Sequence, residues 1–453
     1  MFDFFLARTE HLGNGLYLVT NYTGSYVVLN TEEYVMLMAD KIDKHLFEIL
    51  ESNDIIITNA NKSRIKNKIR YAKKHLLYGP LLHIVAVTNR CMHNCLYCHS
   101  PIVPVDRVEQ DMSFKTAKRV VEFIWQSPSP VITIEFQGGE PLLNFKVIRF
   151  IVKYAKALNR EKKKILKFTI VTNLTIMNKD ILEFFEEEEI WPCTSIDGPE
   201  QLHNANRPNS YRDIKKWVPV LQRKLKGHVS AIAVITSKNI RNPEAIVDTY
   251  IKLGFRKIWV HPFQPLGNAK KNFKKLKFST EDYLKFWKKI VAYIIEKNKK
   301  IKEVGTTFLI RKAIFNENPL FLDLQSPCGA VINQLAYDYN GDVYTCDEGR
   351  MLDIELFKLG NVNEGYSKVI NKDKICSITK LSMNELFCER CAFQPYCGIC
   401  PVMNYAKYNT PLPTPNDFRC KVLKEQFRFI FYMYHTDKKY KQIFDSWCKT
   451  KDL

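Results

Sequence analysis

The chemistry of this chain starts at eight residues, Cys91-Met92-His93-Asn94-Cys95-Leu96-Tyr97-Cys98, whose cysteines are spaced CxxxCxxC. Three thiolates on one tight loop can hold three irons of a cubane 4Fe–4S cluster and leave the fourth iron without a protein ligand. Such an iron is open to chelation by a substrate or cofactor. A zinc site completed by His93 or His99 is the alternative, but zinc sites usually pair their cysteines as CxxC knuckles, which favours iron. A second pattern follows toward the C-terminus: Cys328, Gly341 and Cys346, then Cys388-x2-Cys391-x5-Cys397-x2-Cys400, and Cys420 alone. Cys193 and Cys448 have no partner at ligand spacing and read as packing residues. Thirteen cysteines in a reducing compartment are thiols or metal ligands, not disulfides.

The elements around these residues must bring them together. From Leu81 to about Lys299 strand and helix alternate six times, with strands expected at 82–88, 131–137, 166–172, 192–197, 229–236 and 257–263. Ser113 is placed to cap the helix that follows the first strand. Six such units imply parallel strands with helices outside, hence a doubly wound sheet or a barrel, complete or partial, and in either case ligands gather at the carboxyl ends of the strands. The N-terminal part reads as two strands, 15–20 and 25–30, around the turn Asn21-Tyr22-Thr23-Gly24, followed by short helices. After about Asn316 the periodicity fades and cysteines take over. The expected organisation is therefore a small α+β module at 1–78, a partial (β/α)6 TIM-like barrel at 79–315, and a cluster-held region at 316–453.

The 453 residues are 46% hydrophobic, enough for real cores, and no apolar run approaches the length of a membrane helix. Charged residues in the first thirteen positions argue against a secretory signal, so a cytoplasmic protein without membrane contact is expected. Sixty-eight basic against 48 acidic residues give a net charge of +20, which would suit nucleic acid or an acidic peptide. No aromatic residues interleave the lysine runs as a stacking platform requires, so a solvated surface is the preferred reading and nucleic acid is not an expected partner.

The chain resembles the radical S-adenosylmethionine (SAM) enzymes, whose signature is CxxxCxxC after the first barrel strand with an aromatic residue, here Tyr97, before the last cysteine. Gln137-Gly138-Gly139-Glu140-Pro141 after the second strand is similar to their GGEP segment, which receives the SAM amino group. Thr172-Asn173 after the third strand, Ser195-Ile196-Asp197 at the end of the fourth, and Arg207 in His203-Asn204-Ala205-Asn206-Arg207-Pro208 are similar to the segments that contact the SAM ribose and carboxylate. Glu140 and Arg207 offer opposite charges for an amino-acid zwitterion. The later cysteines resemble the SPASM domain, which binds two auxiliary 4Fe–4S clusters, making three in all. By position Cys388, Cys391, Cys397 and Cys420 would hold one, and Cys328, Cys346 and Cys400 the other. That second set is one ligand short: its iron is either open to substrate or closed by Cys376 or a non-cysteine side chain. Asp347 stands where sulfatase-maturing relatives have a catalytic base, although capping a turn or pairing with Arg350 would equally explain a carboxylate there.

Between about residues 80 and 420 the resemblance narrows to the His-Xaa-Ser system radical SAM maturases. Its carriers include Ser127-Pro128-Ser129-Pro130, Asp347-Glu348-Gly349-Arg350-Met351 and Cys391-Ala392-Phe393-Gln394-Pro395-Tyr396-Cys397. It implies reductive cleavage of SAM to methionine and a 5′-deoxyadenosyl radical, with a flavodoxin or ferredoxin as reductase. A ribosomally made precursor peptide would then be crosslinked, and the N-terminal module would suit leader-peptide recognition. The rivals are a sulfatase-type maturase oxidising Cys or Ser on a protein, and a zinc-dependent nucleic-acid-binding protein favoured by charge and cysteine pairs.

Overall fold

The computed structural model describes residues 3–4, 7–72, 74–383 and 388–449. The N-terminal module holds a meander of β2 (Arg8–Gly13), β3 (Leu16–Thr20) and β4 (Tyr26–Leu29), and a short antiparallel pair, β1 (Asp3–Phe4) with β5 (Ile56–Ile57). Sequence reading expected only two strands here. Of the three others, β2 is joined to β3 by Asn14-Gly15, both at positive φ (49° and 70°), the two-residue turn whose twist matches a hairpin. The expected turn at Asn21 forms: its Oδ1 accepts from the amides of Thr23 and Ser25 at 3.0 and 3.2 Å. The sheet and the helices Thr31–Met38 and Lys44–Ser52 close over their own small core, including Val27, Leu29, Leu37, Leu46 and Leu50.

The central sheet starts with β6 (Leu82–Thr88) and continues through β7 (Val131–Gly138), β8 (Ile165–Val171), β9 (Ile190–Ser195), β10 (Ser230–Ile235) and β11 (Lys257–Pro262) to the two-residue β12 (Lys302–Glu303). All neighbours in this run are parallel. The six expected barrel strands are present; the fourth lies two residues earlier than expected, at Ile190–Ser195. Burial alternates along β7: Ile132, Ile134 and Phe136 are fully buried in the core shared with the helices. Glu135 and Gln137 face the other way, and Glu135 accepts from Thr169 of β8 at 3.0 Å across that inner surface. Ser113 caps the helix Phe114–Ile124, accepting from the Thr116 amide.

The sheet does not stop at the barrel. On the far side of β6 it adds β13 (Gln334–Tyr337) in parallel, then β14 (Asp342–Tyr344) and β15 (Lys358–Asn361) antiparallel, ten strands in all. His83 of β6 is buried against this addition, between the Tyr337 hydroxyl at 2.9 Å and the Pro80 carbonyl at 3.2 Å, and burial lowers its pKa to about 3. The helices Phe418–Thr436 and Lys438–Lys449 pack back on Thr280–Glu296 and Val304–Ala313 of the barrel. The N-terminal module in turn docks on the C-terminal region. Thr20 Oγ1 donates to the Ala392 carbonyl at 2.8 Å, and the Tyr396 hydroxyl to that of Gly24 at 3.1 Å. No helix among the described residues is long and apolar enough to cross a membrane.

Candidate active site

The cysteine loop leaves the end of β6 and is fastened from several directions. The Cys91 amide donates to the Val103 carbonyl (3.0 Å), Leu96 N to Asn206 O (3.0 Å), and Ala269 N to Cys98 O (3.1 Å). Gly267 has φ +50°, and a Cβ there would lie 2.7 Å from the His99 carbonyl, so only glycine lets this segment press on the loop. Arg90 locks the loop entrance: Nε and Nη2 bond both Asp111 oxygens at 2.8 and 2.6 Å, and Nη1 donates to Val105 O at 2.6 Å. Sequence reading passed over this clamp; the only signal was an arginine directly before the first cysteine. The three thiols are near enough to act on one another's charge. Burial pushes Cys91 up to about 12 and Cys98 to about 11, so both stay protonated until a cationic group arrives. A metal cluster supplies that charge and takes thiolates.

Beside the loop, β7 ends in Gly138 and Gly139. A Cβ on Gly138 would stand 1.9 Å from Thr88 O and one on Gly139 2.2 Å from Arg90 O, so what the two glycines closely approach here is the start of the cysteine loop. Glu140 follows, fully buried, accepting from Thr172 Oγ1 (2.7 Å), the Asn173 amide (2.7 Å) and the Leu142 amide (3.1 Å). Burial raises its pKa to about 7 against those three bonds. Asn173 is thereby tied to Glu140 through its backbone while its side-chain amide reaches Met92 Sδ at 3.3 Å and Cys91 Sγ at 3.9 Å.

Across the loop lies a buried chain of polar groups. Arg207 Nη1 donates to the Tyr97 hydroxyl (3.1 Å), which donates to Asp197 Oδ1 (3.2 Å), where the Val234 amide also arrives at 3.0 Å. Burial lifts Asp197 to about 6, opposed by the Arg207 charge. His203 accepts from the Asp197 amide at 3.3 Å, which fixes the turn after β9; Ser195 sits half-buried at that strand's end. Buried atoms here without a partner include Asp197 Oδ2, Asn206 Nδ2, Arg207 Nε and His93 Nδ1. Buried atoms of this kind ordinarily find hydrogen bonds, so spare bonding capacity on a carboxylate, a guanidinium and an imidazole around a thiol-bearing loop fits a polar, zwitterionic ligand beside a metal cluster.

Asp347 is buried and pairs with Arg350, itself fully buried, at 3.0 Å, so the pairing anticipated from sequence forms. It also faces the barrel, since its charge acts on His99 and on Glu135 of the inner surface. The later cysteines fall into two neighbourhoods. Cys397 feels Cys388, Cys391 and Cys420, while Cys346 feels Cys328 and Cys400. Cys376 is exposed on the helix Lys372–Leu381. Cys448 packs against the core as expected, whereas Cys193 is half-buried on the inner surface of β9 beside Glu135. Among the described residues no three His, Cys, Asp or Glu side chains converge tightly enough to share a single metal ion.

A parallel partial barrel whose first strand end carries three clustered thiols, with glycines and buried charges on the next strand ends, defines the class. Residues 85–250 match the radical SAM superfamily, and the chain belongs to it. An uncharacterized protein of Methanocaldococcus jannaschii is 31% identical over 217 residues, spanning 47% of this chain and 72% of the relative. A cysteine-type anaerobic sulfatase-maturating enzyme of Clostridium novyi is 21% identical over 361 residues, 77% of this chain and 93% of the enzyme. The crystal structure of Streptococcus suis SuiB bound to its precursor peptide SuiA covers 92% of this chain and 99% of SuiB, with a TM-score of 0.57 at 16% identity, and shares the fold. Radical SAM proteins are enzymes that bind SAM and a 4Fe–4S cluster.

Proposed function

We propose that this chain is a radical SAM maturase that crosslinks a ribosomally made precursor peptide, of the His-Xaa-Ser system type. In this reading Cys91, Cys95 and Cys98 hold the SAM-binding cluster. Bound there, cluster and SAM supply a 5′-deoxyadenosyl radical that takes hydrogen from an unactivated C–H bond. Glu140, oriented by Thr172 and Asn173, meets the SAM ammonium, and the Gly138-Gly139 turn sets its height. Arg207, Asp197 and Ser195 meet the carboxylate and ribose. Tyr97 keeps Asp197 and Arg207 apart at fixed distances. The observation that carries the reading is the set of buried atoms without a partner on Asp197, on Arg207 and on His93 of the cysteine loop itself.

Residues 316–453 would hold two auxiliary clusters, on Cys388, Cys391, Cys397 and Cys420 and on Cys328, Cys346 and Cys400, that accept the electron released as the crosslink forms. Asp347 would receive the proton lost in that step. Residues 1–78 would bind the leader peptide by lending a sheet edge to it. Flavodoxin or ferredoxin would deliver the first electron in the cytoplasm. The likeness to SuiB over nearly the whole chain supports a peptide substrate. Oxidation of a Cys or Ser on a sulfatase is the second reading, favoured by the sulfatase-maturating relative. Anaerobic coexpression with candidate precursor peptides drawn from short reading frames near its gene decides between them by mass spectrometry. Loss of two hydrogens with a new crosslink is expected; an unchanged precursor alongside conversion of a sulfatase-derived peptide overturns the proposal.

A further inference from the structure

We propose that two short helices packed on the cysteine loop, Gly267–Lys271 and Phe273–Leu276, form the docking surface for an acidic electron carrier, a flavodoxin. The inference rests on the reading that Cys91, Cys95 and Cys98 hold a cluster that must receive one electron. The inner side of these helices belongs to the loop. Ala269 and Leu276 are buried with Tyr97 in one small core, against which Leu96 and Phe263 pack. The Ala269 amide donates to the Cys98 carbonyl and Asn272 Nδ2 to that of Leu96, both at 3.1 Å, while Asn268 Nδ2 donates to Asn94 Oδ1 at 2.9 Å. Helix backbone thus bonds directly to the backbone of a thiol-bearing residue.

The outer side is cationic. Lys270, Lys271, Lys274, Lys275 and Lys277 are exposed, as is Lys238, whose neighbour Ser237 bonds the Lys275 and Leu276 carbonyls at 2.6 and 2.9 Å. None of these lysines forms an ion pair among the described residues, and no Asp or Glu occurs between positions 249 and 280. The chain's other lysine runs, 162–164 and 297–302, lead into β8 and β12, at the amino ends of the strands and so away from the loop. Phe273, 42% exposed, stands in the middle of the first run; sequence reading, which found no aromatic residue among the lysines, overlooked it. One ring is no stacking platform for nucleic acid, but a single apolar contact inside a cationic rim suits a small, transient protein interface. A flavodoxin is acidic and exposes the apolar edge of its flavin, for which Phe273 offers the contact and the lysines the steering charge. The flavin loses one electron and the cluster gains it; no bond forms or breaks between the two proteins.

The test measures binding of a purified bacterial flavodoxin to the anaerobic holoenzyme by calorimetry at low and at moderate salt. Replacing Lys270, Lys271 and Lys274 by Gln should weaken binding about tenfold at low salt and flatten its salt dependence. Replacing Lys162, Lys163 and Lys297 by Gln makes the same change in net charge at the opposite ends of the strands and should alter neither. Phe273→Ala should weaken binding about fivefold and leave the salt dependence as it was. In every variant SAM cleavage driven by photoreduced deazaflavin, a small molecule that needs no docking surface, should run at the parental rate, which separates docking from folding. Equal weakening in both triple variants, or none in the Lys270/Lys271/Lys274 variant, overturns the inference. So does a ferredoxin that binds more tightly than the flavodoxin, or lysine-dependent binding of poly-glutamate or single-stranded RNA while flavodoxin binding holds. A holoenzyme that cleaves no SAM with photoreduced deazaflavin overturns the cluster reading itself.

Discussion

At the barrel mouth three thiols lie within eight consecutive residues, and four other segments hold that loop by backbone hydrogen bonds and the Arg90 clamp. In the C-terminal region seven thiols are drawn from positions 328 to 420, and Arg419 with its Asp323 partner stands between their two neighbourhoods. The first site is local in sequence and global in support. The second is the reverse, scattered in sequence and joined by a few charges at its centre. Where a loop brings all ligands at once, the remainder of the fold can specialise in shaping a ligand pocket. Where ligands would arrive from many segments, as proposed for residues 316–453, a bound cluster would have to help fold the region.

Removing the local site is expected to have the largest effect. The Cys91/Cys95/Cys98→Ala chain should form no 5′-deoxyadenosine, yet keep its auxiliary iron and its fold. Loss of all iron in that chain would show that the two regions do not assemble independently. Next comes Glu140. Glu140→Ala removes a charged partner worth about 1.5–3 kcal/mol, or about 10- to 150-fold in SAM affinity by calorimetry. Because Glu140 also accepts from Leu142, Thr172 and Asn173, the same variant should melt earlier.

The pH dependence of that site has a definite sign. The folded carboxyl of Glu140 titrates near 7, above its ordinary value of 4.5, because burial disfavours the charge. Its contribution to stability is complete below the ordinary value and is lost as pH rises through about 7. Ligand-free wild type should therefore lose melting temperature relative to Glu140→Gln between pH 5 and about 8, while SAM affinity rises as the carboxylate forms. A pH-independent difference between the two proteins would count against a buried, titrating Glu140.

Smaller effects are expected at the second region and the module docked on it. Arg419→Met removes the cation beside Cys397 and Cys400 and a charged contact of about 1.5–3 kcal/mol, so denaturant midpoints and auxiliary reduction potentials should both fall. SAM affinity should stay as it was. Gly15→Ala forces a side chain into a left-handed turn and against Thr31 Oγ1 at 2.8 Å, for about 1–2 kcal/mol. Calorimetry should place that loss in the N-terminal module, with basal SAM cleavage unchanged.

Much of the first region was legible because its signals are local. Cys91 to Cys98, Gly138 to Glu140 and Asp197 each follow a strand whose apolar run is short and bounded, and parallel strands put such ends on one side. The Asn14-Gly15 hairpin was equally legible and was overlooked because Leu12 and Gly13 blur the alternation of β2 just before it. What sequence could not supply is convergence over distance. Nothing near Arg90 points to Asp111, and nothing near Arg419 points to Asp323; these pairs exist only once the sheet has closed. For Asp347 the pairing alternative forms, with Arg350 at 3.0 Å, and its charge also acts on His99.

The pairing of β13 with β6 joins residues some 250 positions apart in the chain, Tyr337 to Val85 and Ala336 to Ile84. Without it, the first barrel strand would present a row of bare amides and carbonyls, flanked by apolar Ile84 and by His83 stripped of Tyr337. Exposed edges of that kind recruit strands from other molecules. The barrel is therefore not a detachable unit here: a shortened chain ending before residue 334 would expose a self-associating border, and the late arrival of β13 is what seals it.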